Sequence, residues 1–583
     1  MKLVIAEKPS VANGIAGVLG VKQRKDGYIE GNGYIVSWCV GHLVGLADAD
    51  VYDEKYSKWQ REHLPIIPEK WEYIVFNHTK KQFNILKRLL NRKDVESVIC
   101  ATDAGREGEL IFRFVYQMAE CNKPFFRLWI SSMETTAIKQ GFADLKNGRD
   151  YDSLFESAIC RAKADWLVGI NATRLFTTLY NKKLSVGRVQ TPTLAMLVER
   201  YGKIGGFKKE KYYMVKLKMG DIEAQSEHIK ELSKAKEIQA ACQEGQAVCV
   251  SVESEKKSLS PPKLFDLTSL QREANRLFGY TAQQTLDIAQ KLYESKLITY
   301  PRTDSRYITS DMAASASNLS TSIIESINAS GLTTIDVKQI VNDSKVTDHH
   351  AIIPTLEYMS FDERKLSDKE LNILLLIVYR FAMSTGEKYE YNAVTATFEC
   401  NGNQFKTTGK KTVAFGWKAI DLLFRPALNL KIIEEKDGLP ELSDDMQFEN
   451  VSAAVSEHTT QPPKPFTEDS LLSAMERAGV EDTNDDAERK GLGTPATRAS
   501  IIEKLVSGGL IKRKGKQLLP TETGINLINI LPEELKSPLL TADWENTLAL
   551  IAKGESSADD FMQGIEKNVR ALVADNTKVK GNF

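Results

Sequence analysis

Two stretches of this sequence repeat one another, and that repetition constrains the fold more than any single residue does. Pro261-Pro-Lys-Leu-Phe265-Asp-Leu-Thr-Ser-Leu270 is echoed by Pro462-Pro-Lys-Pro-Phe466-Thr-Glu-Asp-Ser-Leu471. Farther on, Lys291-Leu292 followed by Leu297-Ile298 returns at the same spacing as Lys504-Leu505 and Leu510-Ile511. Each copy reads helix, turn, helix (ending with Gln283 to Tyr293 and with Thr497 to Val506), then a short apolar strand, the order of a winged-helix unit. Tyr300 of the first copy falls opposite Arg513 of the second, so one unit carries a tyrosine where the other is expected to carry a phosphate-binding cation. At 583 residues the chain is too long for one core, and roughly three to five domains are expected.

A different grammar opens the chain. Leu3 to Ala6 reads as a buried strand, Glu7-Lys8-Pro9-Ser10 as a turn, and Val11, Ile15, Val18 and Leu19 as the apolar face of a helix. Strand, turn and helix recur at Val95 to Ala101, Thr102-Asp103-Ala-Gly105-Arg106-Glu107-Gly108-Glu109 and Leu110 onward. Two strand ends bearing carboxylates would meet at the carboxyl edge of a parallel sheet, where such sheets bind ligands. Residues 1 to about 140 are therefore expected to form an α/β domain. Tyr151 to Leu179 reads as helix. Alternation of apolar and polar residues from 212 to 260, and again from about 392 to 460 (Val394, Ala396, Phe398; Ile420, Leu422), predicts strands on either side of a helical stretch.

Bulk properties exclude several classes. No run of about 18 apolar residues is present, so no membrane span is expected, and Met1-Lys2-Leu3-Val4-Ile5-Ala6-Glu7 turns polar too soon for a signal peptide. The seven cysteines include no Cys-x-x-Cys pair, which argues against a zinc ribbon and fits a reducing cytoplasm. Net charge is only −1, but charge is partitioned. Residues 161–190 hold six basic residues against one acid, with Trp166 and Phe176 interleaved, whereas 434–445 hold six acids against Lys436. The first stretch suits a groove tracking a nucleic-acid strand, and equally a solvated helix face.

The chemistry concentrates at Leu297-Ile-Thr-Tyr300-Pro-Arg302-Thr303-Asp304-Ser305. A phenol, with its pKa near 10, attacks a phosphate at neutral pH only beside cations that stabilise the phenolate and the transition state. Arg302, two residues on in an extended segment, is expected on the same side as Tyr300.

Taken together, Glu7-Lys8-Pro9-Ser10, Asp103-Ala-Gly-Arg-Glu107-Gly-Glu, Ser185-Val-Gly-Arg-Val-Gln190, Ile298-Thr-Tyr300-Pro-Arg302-Thr-Asp, His349-His350-Ala-Ile-Ile-Pro-Thr355 and Gly491-Leu-Gly-Thr-Pro-Ala-Thr-Arg498 resemble, in order, the motifs of type IA DNA topoisomerases. The resemblance implies an α/β plus α+β multidomain fold: a Toprim domain, two winged-helix-containing domains and a β arch closing a torus. The expected boundaries are 1–145 for the Toprim domain and 146–212 with 462–583 for the helical single-strand-groove domain holding the second winged-helix unit. The arch is expected at 213–264 with 405–461, and the tyrosine-bearing winged-helix domain at 265–404. It further implies ATP-independent cleavage of one DNA strand through a 5′-phosphotyrosine at Tyr300, passage of a strand, and religation. Glu7, Lys8, Arg302 and His349 are the other catalytic positions, although His350 competes for the last role. Mg²⁺ would be held by Glu7, Asp103 and Glu107, with no zinc and no nucleotide. Arg161, Asp165, Ser185, Val186, Gly187, Arg188, Val189 and Gln190 fall on positions lining the single-strand groove, and Arg498 is a further candidate. Expected partners are single-stranded DNA and underwound or catenated duplex DNA, with a helicase or single-strand-binding protein as a candidate. A monomer in the cytoplasm, associated with the nucleoid, is expected.

One departure stands out. Gly105 occupies the place where many members of that family carry a second aspartate, which implies weaker or more substrate-assisted Mg²⁺ binding. Glu109 lies two residues beyond Glu107 on a helix and is turned away from it. A Toprim nuclease or primase would need Glu7 and the Asp103 cluster but no tyrosine, and a DNA-binding protein with a vestigial catalytic domain would need neither.

Overall fold

Register decides what meets at the first sheet. The structure, a computed structural model, describes residues 1–130, 133, 135–346, 348–431, 438–479 and 491–578; Glu434, Glu435, Lys436 and Asp437 of the acidic stretch lie outside them. Strand Lys2–Ala6 lies between Tyr34–Trp38 and Ser97–Ala101, parallel to both, with Ala6 opposite Trp38 and Ala101. Glu7 and Thr102 therefore leave the sheet side by side at its carboxyl edge. Leu3 and Ile5 pack on one face with Leu86, Phe112 and Val115, while Val4 and Ala6 pack on the other against Ala12, Ile15 and Ala16 of helix Pro9–Leu19. Burial on both faces is why these strands read as continuous apolar runs.

The repeated units form as expected in their helices and diverge after them. The first has helices Leu267–Phe278 and Ala282–Glu294, the second Glu468–Arg477 and Pro495–Ser507. In the second a hairpin follows, Ile511–Lys514 with Gln517–Pro520. In the first no hairpin forms among the described residues; Ile298 bridges Pro354 and Phe265 bridges Ile352, so a distant segment takes the wing's place beside Tyr300. The two units dock through Arg272 Nε on Asp469 at 2.9 Å and Asp469 N–H on Asn275 Oδ1 at 3.1 Å. Arg513 is not a free phosphate-binding cation, because its guanidinium pairs with both Glu468 and Glu503.

A second, antiparallel sheet runs in the order Gln447–Phe448, Ala247–Leu259, Tyr389–Cys400, Asn403–Ala414, Ile222–Gln225, Lys211–Met219, Ser452–Thr459. Two expected boundaries shift. Tyr389–Cys400 belongs to this sheet, since its inward residues Ala396, Phe398 and Cys400 share a core with Val215, Leu217 and Cys249. Lys418–Ala427 is a helix rather than a strand, because Ile420 and Phe424, four apart, pack into the core of the tyrosine-bearing unit. Helix Leu232–Cys242, unforeseen in the sequence, covers the sheet's inner face with Ala235 and Cys242. The chain passes between this sheet and the tyrosine-bearing unit four times, on either side of residues 265–388 and of helix Lys418–Ala427, and the first outgoing strand is exposed from Glu253 to Leu259.

Past the second repeated unit come two helices, Leu539–Lys553 and Ala558–Asp575, broken at Gly554 where φ is +74°. Both lie on the long helix Asp152–Tyr180. At their centre Glu545, buried, receives Arg106 at 2.8 Å, Arg161 at 3.4 Å and Arg188 at 3.7 Å. Burial opposes its charge, but these three guanidiniums outweigh it and bring the Glu545 carboxyl down to about 2 from 4.5. Replacing Glu545 by Gln strands buried arginines, so a loss of about 3–5 kcal/mol is expected; a thermal melt matching wild type would refute it. Because the folded-state value is depressed, this stabilisation is present above pH 4.5 and is lost as pH falls toward 2.

Candidate active site

The two carboxylates left at the sheet edge meet over one ammonium. Glu7 Oε2 accepts a hydrogen bond from the Asp103 N–H at 3.2 Å. Lys8 Nζ lies 3.2 Å from Asp103 Oδ2 and 3.4 Å from Glu7 Oε1. Above it sits Tyr300 of the first repeated unit, its ring centroid 3.7 Å from Lys8 Nζ. His349 packs against the Tyr300 ring at 4.4 Å between centroids and joins Asp103 Oδ2 through Nε2 at 2.9 Å. Ser10 Oγ and Tyr293 Oη, 2.8 Å apart, close the same contact from the side. A cavity of about 490 Å³ opens between the two units, lined from both by residues including Lys8, Asp103, Tyr300 and His349.

Burial and charge set the protonation of each group. Burial pushes the Tyr300 phenol above its ordinary range, with Lys8 pulling the other way. Glu7 is raised by burial and then by Asp103. Burial opposes the charges of Asp103, Lys8 and His349, yet their mutual attraction wins, holding Asp103 well below the carboxylate range and raising the two cations. His350 is pushed down to about 4 by burial, and its Nδ1 faces the Ala351 carbonyl at 2.9 Å. Of the adjacent pair it is His349 that meets Asp103 and Tyr300.

Other expected positions fall elsewhere. Arg302 is exposed and is not drawn into the cluster. Glu107 Oε1 lies 2.7 Å from His42 Nε2, and among the described residues no three His, Cys, Asp or Glu side chains gather at coordinating spacing. Glu7 and Asp103 alone fit a hard cation, since two carboxylates already converge on one positive charge. Glu109 is buried against Arg113 at 2.7 Å and Arg127 at 3.2 Å, outside the site.

The groove residues divide. Asp165 and Ser185 are exposed, and Arg161, Gly187, Val189 and Gln190 are half-buried. Val186 is buried, and so are two of the arginines expected to line the groove. Arg188, only 2% exposed in its side chain, is paired with Asp165 at 2.8 Å and lies over Trp544. Arg498 donates to the Leu492 carbonyl and to Thr268 Oγ1 at 2.8 Å. Both arginines knit the protein together, because buried acids and carbonyls need them more than solvent does. Trp166 and Phe176 likewise pack inward, Trp166 donating to the Ala47 carbonyl at 3.0 Å.

Three contributors had no assigned role in the sequence. Fully buried Arg127 donates to the Thr102 and Asp103 carbonyls at 2.7 and 2.6 Å, fixing the loop that aims Asp103. Gly108 must lack a side chain, since a Cβ there would lie 2.1 Å from the Asp103 carbonyl oxygen. Tyr293, near the end of helix Ala282–Glu294, meets the Tyr300 ring edge-on at 5.4 Å between centroids. Nothing local marks Arg127, whose bonds to the Asp103 loop run to carbonyls 24 and 25 residues away.

Comparison with known proteins gives the family. A family model described as DNA topoisomerase matches residues 149–563, and one described as the Toprim domain matches residues 2–133. The chain is 41% identical to DNA topoisomerase 3 of Shouchella clausii over 601 residues, covering 98% of this chain and 81% of that protein. It is 41% identical to that of Bacillus licheniformis over 611 residues, covering 99% and 82%. The structure of full-length topoisomerase I from Thermotoga maritima, 22% identical, superposes with a TM-score of 0.74 over 98% of this chain and 90% of that one, so the fold is shared. With the Toprim sheet, the paired winged-helix units and the interdomain tyrosine all in place, the chain belongs to the type IA DNA topoisomerases.

Proposed function

We propose that the protein relaxes underwound DNA and unlinks catenated DNA by cutting one strand through Tyr300, passing another strand through the gap, and resealing. The observation that carries this reading is the Lys8 ammonium, held by Glu7 and Asp103 and lying 3.7 Å from the Tyr300 ring centroid. A phosphate entering the cavity would share Lys8 and His349 with the carboxylates that now neutralise them. Tyr300 Oη gives its proton to water in the cavity and forms the bond to phosphorus, while the bond from phosphorus to the 3′ oxygen breaks. Glu7, whose proton affinity burial raises, supplies a proton to that oxygen. Lys8 and the imidazolium of His349 stabilise the added charge on the phosphoryl oxygens. Because the phosphotyrosine conserves the energy of the broken ester, resealing is the same step reversed and needs no nucleotide.

Glu7 and Asp103 would hold Mg²⁺. When bound, it supplies positive charge that offsets the backbone phosphates beside the cut. Arg302, exposed and next but one to Tyr300, contacts the bound strand from the solvent side. Arg161, Gln190 and Ser185 are the groove residues accessible enough to touch it. Single-stranded DNA is the substrate for cutting, and a helicase or single-strand-binding protein would present it. Among the described residues no helix is long and apolar enough to cross a membrane, and we assign the protein to the nucleoid as a monomer.

Incubating the protein with end-labelled single-stranded DNA and quenching with detergent is expected to leave label covalently on the protein. Tyr300→Phe should abolish it, and label retained by that variant would exclude Tyr300 as the nucleophile.

The gate itself should titrate. His349 has its proton affinity raised against the Asp103 carboxylate, so its stabilisation of the closed contact is fully present below the ordinary histidine value of 6.5 and is lost as pH rises through its raised value. The difference in melting temperature between wild type and His349→Gln should accordingly be constant below 6.5 and shrink above it. A difference that grows with rising pH would contradict this assignment.

A further inference from the structure

Gly105 lacks a side chain in the middle of the acidic loop, and the space beside it is filled from the other unit. Its backbone is extended, with φ −166° and ψ 177°, so any residue could stand there conformationally. What excludes one is Asp348. A Cβ built on Gly105 would lie 2.7 Å from Asp348 Oδ2, 2.9 Å from Oδ1 and 3.0 Å from Cγ. Asp348 immediately precedes His349, which meets Asp103 two residues before Gly105. Two consecutive residues of the tyrosine-bearing unit thus engage two ends of one three-residue loop. Asp348 and Asp103 line the same cavity.

We infer that Asp348 is a positioning residue that lends the Glu7–Asp103 cation seat a third negative charge from across the gate, in the place a side chain at position 105 would occupy. This rests on the proposed reading of Glu7 and Asp103 as the seat for Mg²⁺. Asp348 acts through its field and its fit against Gly105 rather than as a direct ligand. Its carboxylate is beside the seat only while the tyrosine-bearing unit is docked. Cation binding and gate closure are then linked, and by reciprocity each favours the other by the same factor. The seat would hold its cation firmly while DNA is cut or resealed with the gate shut, and weakly while the gate stands open for strand passage.

The test measures binding of Mn²⁺, as a paramagnetic probe of the Mg²⁺ seat, to the full chain from the free-ion resonance signal, without DNA. Asp348→Asn keeps the shape and removes the charge, and affinity should fall roughly tenfold, the scale on which neighbouring carboxylates tune a metal site. The exchange Gly105→Asp with Asp348→Ala moves the carboxylate to the acidic unit and should restore affinity. Tyr293→Phe, which removes only the contact to Ser10 at the gate, should weaken binding further in wild type but not in the exchanged protein, whose charge no longer depends on closure. If Asp348→Asn binds Mn²⁺ as wild type does while Glu7→Gln does not, this inference falls and the reading of the seat stands. Should Glu7→Gln also bind as wild type, both fall. Failure of the exchange to restore affinity would likewise overturn the role assigned to Asp348.

Discussion

The structure turns on a single ammonium with three partners. Lys8 Nζ is held by Glu7 and Asp103 from its own unit and faces the ring of Tyr300 from the other. Burying a lone cation is costly, and this one is tolerable only because two carboxylates accompany it. That requirement draws the ends of two parallel strands together. The register of Ala6 with Ala101 then becomes a chemical fact, since it sets Glu7 beside Thr102 and Asp103. Arg127 and Gly108 hold the Asp103 loop from behind. The acidic half of the site is therefore rigid before Tyr300 arrives.

The contact between the halves is of another kind. Ser10 with Tyr293, His349 with Asp103 and Lys8 with the Tyr300 ring are polar or cation–π contacts around a cavity that Val11, Ile15, Leu128, Met133 and Ile298 also line. The polar members of this interface can exchange their partners for DNA phosphates. The antiparallel sheet that joins the tyrosine-bearing unit to the rest supports that exchange. Its core ends near Val252, and the strand beyond is exposed, so the link can bend where least is buried. The inter-unit contacts of the repeat, Arg272 with Asp469 and Arg498 with Thr268, lie on the path that any opening must loosen.

Much of this was legible in the sequence, for reasons that are local. The doubled strand, turn and helix announced the sheet, because strands buried on both faces leave unbroken apolar runs. The helices of the repeated units were fixed by their caps: Asp266, Thr281 and Thr467 each accept a hydrogen bond from the backbone three residues on. What alternation misread was Ile420 and Leu422, where a helix of ten residues offers too few apolar positions to separate a period of two from one of 3.6. That Tyr300, Glu7, Lys8 and Asp103 would meet was readable because each stands in an ordered motif. Asp348 was not, since its meaning depends on an absent side chain at position 105, 243 residues earlier.

The arginines show where motif reading reaches its limit. Arg188 and Arg498 sit in the expected motifs, yet the first faces Asp165 and Glu545 and the second the Leu492 carbonyl and Thr268. A guanidinium suits a phosphate and a buried carboxylate equally well, because both are planar or forked acceptors of paired hydrogen bonds. Sequence shows the donor and hides which acceptor folding will bring. Glu545, more than 350 residues from Arg188, is that acceptor, and by gathering Arg106 as well it fastens the first turn of the acidic helix to the groove. Arg106, Arg161 and Arg188 thus hold the start of the acidic helix and the basic stretch 161–190 in fixed relation through one buried carboxylate.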